Sequence, residues 1–237
     1  QRELEINMQV KTALILCAGF GKRLNPLTLS NPKPLLNFRN NTLLEHTLML
    51  IKKLNIKKVK LNTFYMKEKI KKFIDSKNFD LDIDIINDGE EILDTGGGIF
   101  NMTKESDEEN FLIFNPDTYW NEKYADSIQN MINFYFSKKI NNILLLVNQN
   151  LSFDKKLKGD FNLNNSFITN NDPCDFIYTG CQILNKKIFN KINKKKFSMN
   201  QLWIQLIEKK LLYGFESKND FIHITDLEIY KKLLKNN

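Results

Sequence analysis

The sequence lacks any long apolar run, and it is poor in cysteine, histidine and proline. Its 237 residues include three cysteines, two histidines and five prolines. No stretch of about 20 apolar residues is present that would span a bilayer, and the first residues do not have the form of a cleavable signal. We therefore expect neither a membrane partner nor a secretory route.

The three cysteines, Cys17, Cys174 and Cys181, are an odd number without tight spacing. This excludes a disulfide scaffold and favours a reduced cytoplasm. Cys17 lies in an apolar segment and is expected to be a small buried residue. The spacing between Cys174 and Cys181 is not that of the usual structural zinc sites, so no zinc site is expected.

Charge and composition narrow the class of protein further. The chain has 35 Lys and Arg against 28 Asp and Glu, a net charge of +7, which favours anionic partners. The lysines are spread through a chain rich in Lys, Asn and Ile, as on a solvated surface. We find no zinc finger, ribonucleoprotein motif or base-reading basic helix, so nucleic acid is not an expected partner. With 42% hydrophobic residues the chain can bury a real core.

Apolar segments alternate with amphipathic segments through the first two thirds of the chain. Strands are predicted at 12–18, 57–63, 81–86, 110–114 and 143–147, and helices at 43–54, 66–75 and 125–138. Thr42-x-x-Glu45 is a capping box for the first helix. This order predicts an α/β fold with a Rossmann-like, doubly wound, mostly parallel sheet.

The pattern changes near residue 148. Short strands at 159–163, 166–169 and 175–184, joined by Asn-rich turns, predict a small, partly antiparallel subdomain. Helices are expected at 199–212, capped by Ser198, and after Thr225, which we expect to be a better cap than Asp226. A last strand is predicted at 221–224. We expect an N-terminal extension at 1–10 and one domain at 11–237, in two parts of about 11–147 and 148–237.

The segment 13–34 has the features of a phosphate-binding loop. A glycine turn, Gly19-Phe20-Gly21, follows the first strand, and the cations Lys22, Arg23 and Lys33 come next. Glycines let the backbone approach an anion closely. The loop has neither the third glycine of the dinucleotide fingerprint nor the G-K-[S/T] of nucleotide triphosphatases.

Two later features are further candidates for a site. Three glycines in Asp94-Thr95-Gly96-Gly97-Gly98 fit a helix N-terminus or a backbone-lined pocket, with a flexible turn as the alternative. Asp117 follows the strand at 110–114. Ligands of open α/β sheets bind at the carboxyl ends of strands, so Asp117 is a functional candidate, the alternative being a turn or cap residue.

Taken together, these motifs resemble the sugar-1-phosphate nucleotidyltransferase family. The loop L-C-A-G-F-G-K-R-L-N-P-L-T followed by N-P-K-P-L is similar to its G-x-G-x-R-L…P-K-P motif. Four later segments of this chain also resemble motifs of the family: L-D-T-G-G-G-I, N-P-D-x-x-W, K-G-D-F and Y-T-G-C-Q-I-L. The resemblance extends in particular to N-acetylmuramate-1-phosphate uridylyltransferases and mannose-1-phosphate guanylyltransferases.

The resemblance implies a function and its substrates. Such a protein joins a nucleoside triphosphate, here UTP or GTP, to a sugar 1-phosphate and releases pyrophosphate. It is a cytoplasmic enzyme of nucleotide-sugar synthesis, including cell-wall precursors, with Mg²⁺ as cofactor. The part at 148–237 would bind the sugar.

The resemblance also implies a role for individual residues. Arg23 would stabilise the departing pyrophosphate, Lys33 would bridge the reacting phosphates, and Asp117 would bind Mg²⁺. The nucleotide would be held by Leu16, Ala18, Gly19, Phe20, Gly21, Lys22, Arg23, Gly96 and Gly97. The sugar phosphate would be bound by Asp160, Thr179 and Gly180.

One position departs from the family pattern. His223 stands where a second metal-binding carboxylate is usual, and neutral imidazole is a poor Mg²⁺ ligand. Three alternatives are open: His223 contacts phosphate, His223 binds a softer metal, or a single Mg²⁺ held by Asp117 is sufficient. We favour the last. Two other functions stay open: a non-catalytic nucleotide or nucleotide-sugar sensor, and a glycosyltransferase, although 115–119 lacks the D-x-D motif of the latter.

Overall fold

A nine-stranded mixed sheet forms the centre of the protein. The computed structural model describes residues 9–236, so most of the predicted N-terminal extension lies outside the described residues. The strands of the sheet are β1 (Thr12–Leu16), β4 (Lys58–Thr63), β5 (Asp82–Asn87), β6 (Asn110–Phe114), β7 (Asn142–Asn148), β8 (Asn162–Asn164), β9 (Phe167–Thr169), β10 (Phe176–Asn185) and β11 (Tyr213–Ser217). A separate hairpin consists of β2 (Asn37–Phe38) and β3 (Asn41–Thr42).

The strand order is β5-β4-β1-β6-β10-β7-β11-β9-β8. β1 pairs in parallel with β4 and β6, β4 with β5, and β7 with β11. β10 lies between β6 and β7 and is antiparallel to both. The predicted doubly wound, mostly parallel sheet is confirmed, with one antiparallel strand inserted at its middle.

Six helices form between residues 9 and 236, and helices lie on both faces of the sheet. They are α1 (Leu43–Lys53), α2 (Lys67–Asp75), α3 (Asp94–Thr103), α4 (Tyr124–Ser137), α5 (Met199–Glu208) and α6 (Leu227–Lys235). One buried cluster holds the apolar sides of α1 and α4, and a second holds those of α3 and α5. Coverage on both faces explains why the first strand is apolar throughout.

Helix termini test the predicted caps. The capping box at Thr42 and Glu45 is present, and Ser198 caps α5 by accepting from the backbone N–H of Asn200. The prediction for Thr225 is wrong: Asp226 is the cap of α6, and its carboxylate accepts from the N–H of Ile229 at 2.9 Å. Thr225 is buried with its hydroxyl toward the His223 carbonyl, so it is not turned to the helix.

The C-terminal part differs from the prediction in three elements. β11 was not expected, because its Y-G-F-E-S sequence is not apolar throughout and contains a glycine. α5 ends at Glu208 instead of 212. The expected strand at 221–224 is a series of isolated bridges, one from Phe221 to Ser152 and one from His223 to Thr118.

The two predicted parts share one sheet. β8, β9 and β11 continue the sheet beyond β7, while β10 enters the middle of the N-terminal half. The boundary at 147 and 148 stays a prediction. Between residues 9 and 236, no helix combines the length and apolar character that crossing a membrane requires.

Candidate active site

A cavity of about 370 Å³ opens where β1, β4 and β6 end. The carboxyl ends of these neighbouring parallel strands meet at one edge of the sheet, the usual position of a ligand in such folds. Its lining comes from the glycine loop, the ends of β4 and β6, and the start of α3: Leu16, Cys17, Ala18, Gly19, Gly21, Lys22, Arg23, Leu24, Lys33, Pro34, Asn62, Ile92, Asp94, Thr95, Asn115, Pro116 and Asp117.

The glycine loop turns sharply at Gly21. This residue has φ +64°, in the left-handed region, and its carbonyl accepts from the Thr28 hydroxyl at 3.0 Å. A Cβ here would lie 3.0 Å from the Thr28 side chain and 3.1 Å from Cβ of Lys33. Glycine is therefore needed both for the turn and for bringing Lys33 against the loop.

Two cations of the loop face solvent at the cavity. Lys22 and Arg23 are both exposed, and Arg23 makes no ion pair or hydrogen bond within residues 9–236. The Lys22 ammonium lies 5.2 Å from the centre of the Phe20 ring, which packs against Phe64 and Tyr65. Phe20 supports the loop from outside and does not line the cavity.

Lys33 and Asp117 form an ion pair inside the cavity. Lys33 Nζ donates to Asp117 Oδ2 at 2.8 Å, and the side chains are 12% and 22% exposed. Lys33 lies in a short 3₁₀ turn after Pro32, and Asp117 follows β6. The structure thus brings together the cation and the carboxylate that the sequence singled out.

Asp117 is ionised and holds one oxygen without a partner. Burial raises its pKa, but the Lys33 ammonium above all, with His223 and hydrogen bonds, holds it well below its usual range. Oδ1 is buried and accepts no hydrogen bond. A buried carboxylate oxygen without a donor is a natural position for a cation.

His223 lies beside this carboxylate. Its Nδ1 is 3.8 Å from Asp117 Oδ1 and 3.3 Å from the Thr118 hydroxyl. That hydroxyl donates to the Thr179 carbonyl at 2.7 Å, so it accepts from Nδ1–H of His223. Burial lowers the pKa of His223, with Lys33 and Arg23 acting in the same direction and Asp117 opposing them. The imidazole is therefore neutral at pH 7, with its proton on Nδ1 and a free lone pair on Nε2.

Gly96 and Gly97 do not line the cavity, and their predicted part in holding the nucleotide stays a prediction. They form the first turn of α3, as one of the open readings expected. A Cβ on Gly97 would lie 2.2 Å from the Lys195 carbonyl, and one on Gly96 would lie 2.4 Å from the Phe197 ring. The N–H of Gly97 donates to the Phe197 carbonyl at 3.0 Å. The glycines admit the 195–197 segment, and Ile92, Asp94 and Thr95 form the cavity wall.

The predicted sugar-side residues Asp160, Thr179 and Gly180 are not among the residues that line the cavity. The carbonyls of Thr179 and Gly180 contact Thr118 and Asn115. Thr179 is buried, and its hydroxyl donates to the Leu145 carbonyl at 2.8 Å. The binding of the sugar phosphate by Asp160, Thr179 and Gly180 stays a prediction. Gly180 lies at an irregularity in the pairing of β10 with β7, and its carbonyl accepts from Asn115 N–H at 2.7 Å. Asp160 is exposed and accepts from the N–H of Tyr178 at 2.9 Å.

The sequence reasoning missed four polar residues that line the cavity: Asn62, Asp94, Thr95 and Asn115. Asn62 is buried, accepts from the N–H of Cys17 at 2.9 Å and donates to Asp88 at 2.9 Å. It thereby ties the glycine loop to the end of β5. Their place in the sequence could have indicated a role in the site, because Asn62 and Asn115 are polar residues at the carboxyl ends of strands.

The residues present fit a magnesium ion better than a transition metal. No group of three or more His, Cys, Asp or Glu side chains suited to a metal occurs in the described part of the chain. Mg²⁺ prefers oxygen ligands, retains several waters and is commonly held by one or two carboxylates together with phosphate oxygens. The unpartnered oxygen of Asp117 meets that requirement.

Comparison with known proteins defines the class. The model of the nucleotidyl transferase family matches residues 12–152, more than half of the chain. The chain therefore belongs to the nucleotidyl transferase family. This confirms at the level of the family the resemblance predicted from the glycine loop and P-K-P.

Individual relatives match nearly the whole chain. It is 29% identical to a D-glycero-alpha-D-manno-heptose 1-phosphate guanylyltransferase of Aneurinibacillus thermoaerophilus, over 94% of this chain and 96% of the relative. It is 23% identical to an N-acetylmuramate alpha-1-phosphate uridylyltransferase of Caulobacter vibrioides, over 91% and 92%. The crystal structure of HddC from Yersinia pseudotuberculosis is similar in fold, with a TM-score of 0.76 at 22% identity over 96% and 99%.

Proposed function

We propose that this protein joins a nucleoside triphosphate to a sugar 1-phosphate, giving a nucleotide sugar and pyrophosphate. The observation that carries the proposal is the Lys33–Asp117 pair in one cavity with the cation-flanked glycine loop. Relatives that match over nearly their full length carry the names of sugar-1-phosphate guanylyl- and uridylyltransferases. GTP and UTP are accordingly the triphosphates to consider first.

The triphosphate binds at the glycine loop. Backbone N–H groups of Ala18, Gly19 and Gly21 and the exposed cations Lys22 and Arg23 supply positive potential there. Arg23 has no partner to give up within residues 9–236, so it is free to take the charge that develops on the departing pyrophosphate.

The chemical step is attack of a phosphate oxygen of the sugar phosphate on the α-phosphorus. One P–O bond forms, the bond to pyrophosphate breaks, and the electron pair leaves with the pyrophosphate oxygen. Both reactants are anions, so the barrier is governed by charge neutralisation and in-line positioning. Lys33 holds the two reacting phosphates together, and no covalent nucleophile is needed.

Asp117 is the residue that would hold Mg²⁺, through the oxygen that now has no partner. When bound, the ion neutralises phosphate charge and orients the α-phosphate. His223 is a poor replacement for the missing second carboxylate, because neutral imidazole is a poor Mg²⁺ ligand. Its Nδ1–H is held by the Thr118 hydroxyl. The lone pair of its Nε2 can accept a hydrogen bond from a sugar hydroxyl. The carbonyls of Thr179 and Gly180 hold Thr118 and Asn115 in place, and Asp160 stays a candidate for sugar binding.

The setting of the reaction is the reduced cytoplasm. Cys17, Cys174 and Cys181 are all free thiols, as an enzyme of an intracellular precursor pathway permits. Cell-wall precursor synthesis is one use of such a product.

An activity matrix tests the proposal. Purified protein is incubated with each of the common nucleoside triphosphates, Mg²⁺ and a panel of hexose, heptose and N-acetylmuramate 1-phosphates, and pyrophosphate release is recorded. We expect release that requires both substrates and that Asp117→Ala abolishes. Absence of release with every pair, from protein whose melting temperature rises with nucleotide, would contradict catalysis and identify a nucleotide sensor. Sugar transfer from a nucleotide sugar without pyrophosphate chemistry would identify a glycosyltransferase.

A further inference from the structure

The first peptide of the glycine loop is held by a side chain. β1 pairs with β4 as far as Leu16 and Asn62, and its pairing with β6 ends one residue earlier. Cys17 is buried, so its N–H requires an acceptor after the strand has ended. Asn62 Oδ1 accepts from it at 2.9 Å, and a longer bond of 3.4 Å joins the next residue, Ala18, to the N–H of Tyr65. The path on which the chain leaves the sheet toward the glycine loop therefore depends on the Asn62 amide.

The orientation of this amide is set by Asp88. An asparagine amide has one accepting end and one donating end, and turning it over exchanges them. Asn62 Nδ2 donates to Asp88 Oδ2 at 2.9 Å. Because a carboxylate only accepts, this bond directs the oxygen of Asn62 to the N–H of Cys17. An amide turned over would place two donors together at Cys17 and two acceptors together at Asp88.

Asp88 is itself fixed in place and does not touch the cavity. It follows β5 directly, and its N–H donates to the Thr63 carbonyl at the end of β4 at 3.0 Å. Its side chain is buried, it is not among the residues that line the cavity, and its Oδ1 lies 3.5 Å from the Asn101 amide nitrogen of α3. A Cβ on Gly98 would lie 2.6 Å from Asn62 Nδ2, so α3 also packs closely on this amide. Asp88 therefore acts on the loop through Asn62.

A contribution of Asp88 through its charge and one through position have opposite signs. A carboxylate near a polyanion weakens the binding of the polyanion. A carboxylate that holds a binding loop in its productive place strengthens that binding, because a displacement of about 1 Å in a positioned group can cost about 100-fold in activity. Removal of the charge and removal of the hydrogen bond can thus be told apart by the direction of the effect.

We propose that Asp88 is a positioning residue for the nucleoside triphosphate. By orienting the Asn62 amide it holds the glycine loop so that the N–H groups of Ala18, Gly19 and Gly21 face the phosphates. The inference rests on the proposed function, because it takes this loop to be the triphosphate site. It deepens that function by naming a residue outside the cavity on which triphosphate binding depends.

Two substitutions that remove the same charge separate the hydrogen bond from the charge. Asp88→Asn keeps an oxygen that accepts from Asn62, whereas Asp88→Leu has no acceptor. Binding of GTP and of UTP is measured by calorimetry with Mg²⁺ and no sugar phosphate. We expect Asp88→Leu to weaken the binding of whichever triphosphate binds more tightly about 10-fold or more, and Asp88→Asn to stay within about 3-fold of wild type. Asp84→Asn, at an exposed residue of β5, is the control and should bind as wild type.

An exchange of the two side chains tests the same bond without relying on Asp88→Leu to fold. Asn62→Asp alone brings two carboxylates together and should weaken triphosphate binding. Adding Asp88→Asn restores a donor between the two positions and returns the net charge to that of wild type. The double variant should bind about 10-fold or more tightly than Asn62→Asp, whereas adding Asp84→Asn instead should restore nothing.

Hydrogen exchange without ligand tests the step through the loop. The Cys17 amide, followed by nuclear magnetic resonance, should exchange about 10-fold or more faster in Asp88→Leu than in wild type, with amides of α4 unchanged. In turnover, Asp88→Leu should raise the KM for the triphosphate and leave the KM for the sugar 1-phosphate unchanged. A triphosphate affinity that Asp88→Leu leaves unchanged or increases, equal effects of Asp88→Leu and Asp88→Asn, or a double variant no tighter than Asn62→Asp would overturn the assignment.

The two proposals fail separately. Pyrophosphate release together with a triphosphate affinity that does not depend on Asp88 overturns the positioning role and leaves the proposed function standing. Triphosphate binding that depends on Asp88, without pyrophosphate release from any pair of substrates, overturns the transferase and leaves the positioning role standing.

Discussion

Lys33 Nζ and Asp117 Oδ2 lie 2.8 Å apart, although 84 residues separate them in the chain. In the free protein each neutralises the other. In the proposed reaction each has a different partner, since Lys33 takes the phosphates and Asp117 takes the metal ion. Substrate binding therefore draws Lys33 from Asp117 Oδ2 toward the phosphates while the metal ion takes Oδ1, and both residues can be tested through this pair.

Asp117→Asn should abolish turnover while keeping nucleotide binding. The amide cannot hold the metal, and we expect kcat to fall at least about 100-fold. Removing the carboxylate frees Lys33 and removes a negative charge, so the dissociation constant for the nucleoside triphosphate should not rise. Steady-state kinetics and calorimetry measure the two quantities. Asp126→Asn, at an exposed residue of α4, is the control and should behave as wild type. Weaker binding of the nucleoside triphosphate together with an unchanged kcat would contradict the role assigned to Asp117.

Lys33→Met should bind a divalent cation more tightly when no nucleotide is present. Lys33 competes with the ion for Asp117, and removing a unit charge at this distance should raise affinity about 10-fold or more. Mn²⁺ binding followed by electron paramagnetic resonance measures this without turnover. Lys67→Met, at an exposed residue of α2, controls for loss of net charge. Unchanged or weaker Mn²⁺ binding by folded Lys33→Met protein would show that the Lys33 ammonium does not compete with the cation for Asp117.

Gly97→Ala should destabilise the fold far more than Gly19→Ala. A Cβ at Gly97 would lie 2.2 Å from the Lys195 carbonyl, whereas one at Gly19 has no neighbour within 4 Å. Forcing the backbone apart should cost about 1–3 kcal/mol of unfolding free energy, and the Gly19 variant should stay near wild type. Urea denaturation checks both. Equal stability of the two variants would contradict the packing role given to Gly97.

Stability should fall as the pH is lowered through the range in which histidine titrates. Burial lowers the pKa of His46, with Arg39 in the same direction and with the Phe38 carbonyl and Glu45 opposing. The unfolded chain, with a histidine pKa near about 6.5, then binds more protons than the folded one. The stability is fully present above about pH 6.5 and is lost as the pH falls toward the folded value.

His46→Gln isolates this effect. Glutamine keeps a donor for the Phe38 carbonyl, which His46 Nε2 contacts at 2.8 Å, and it does not titrate. The variant should lose less stability than wild type between pH 7.5 and pH 5.5, measured as urea midpoints. His223, whose pKa is also lowered, contributes to the pH dependence in the same direction. An identical loss in both proteins would contradict the assignment to His46.

Local chemistry made the glycine loop predictable from sequence. The glycines, Lys22 and Arg23 lie within a few residues of one another, so the loop's conformation and charge depend on local sequence alone. Asp117, after β6, was predictable in the same way, because ligands of such sheets bind at the carboxyl ends of the parallel strands. The ion pair between Lys33 and Asp117 could not be predicted from a sequence pattern, because it depends on the packing of two loops that are distant in the chain.

Glycine 97 and strand β10 show what sequence reasoning misses. The need for glycine comes from the 195–197 segment, about a hundred residues away, and no local signal separates such packing from ligand contact. β10 was predicted as a strand, but its place between β6 and β7 depends on nonlocal pairing. Asp94 was passed over because an acidic residue at a helix start is ordinary until the cavity beside it is seen.

The most direct test of the account follows the phosphorus atoms. Phosphorus nuclear magnetic resonance of a mixture of GTP, a sugar 1-phosphate that is turned over, Mg²⁺ and protein distinguishes the products. The account predicts that the sugar-phosphate signal is replaced by the paired signals of a nucleotide sugar, with one pyrophosphate for each molecule formed. Inorganic phosphate as the product, or sugar phosphate left unchanged while the triphosphate is consumed, would contradict nucleotidyl transfer at this site.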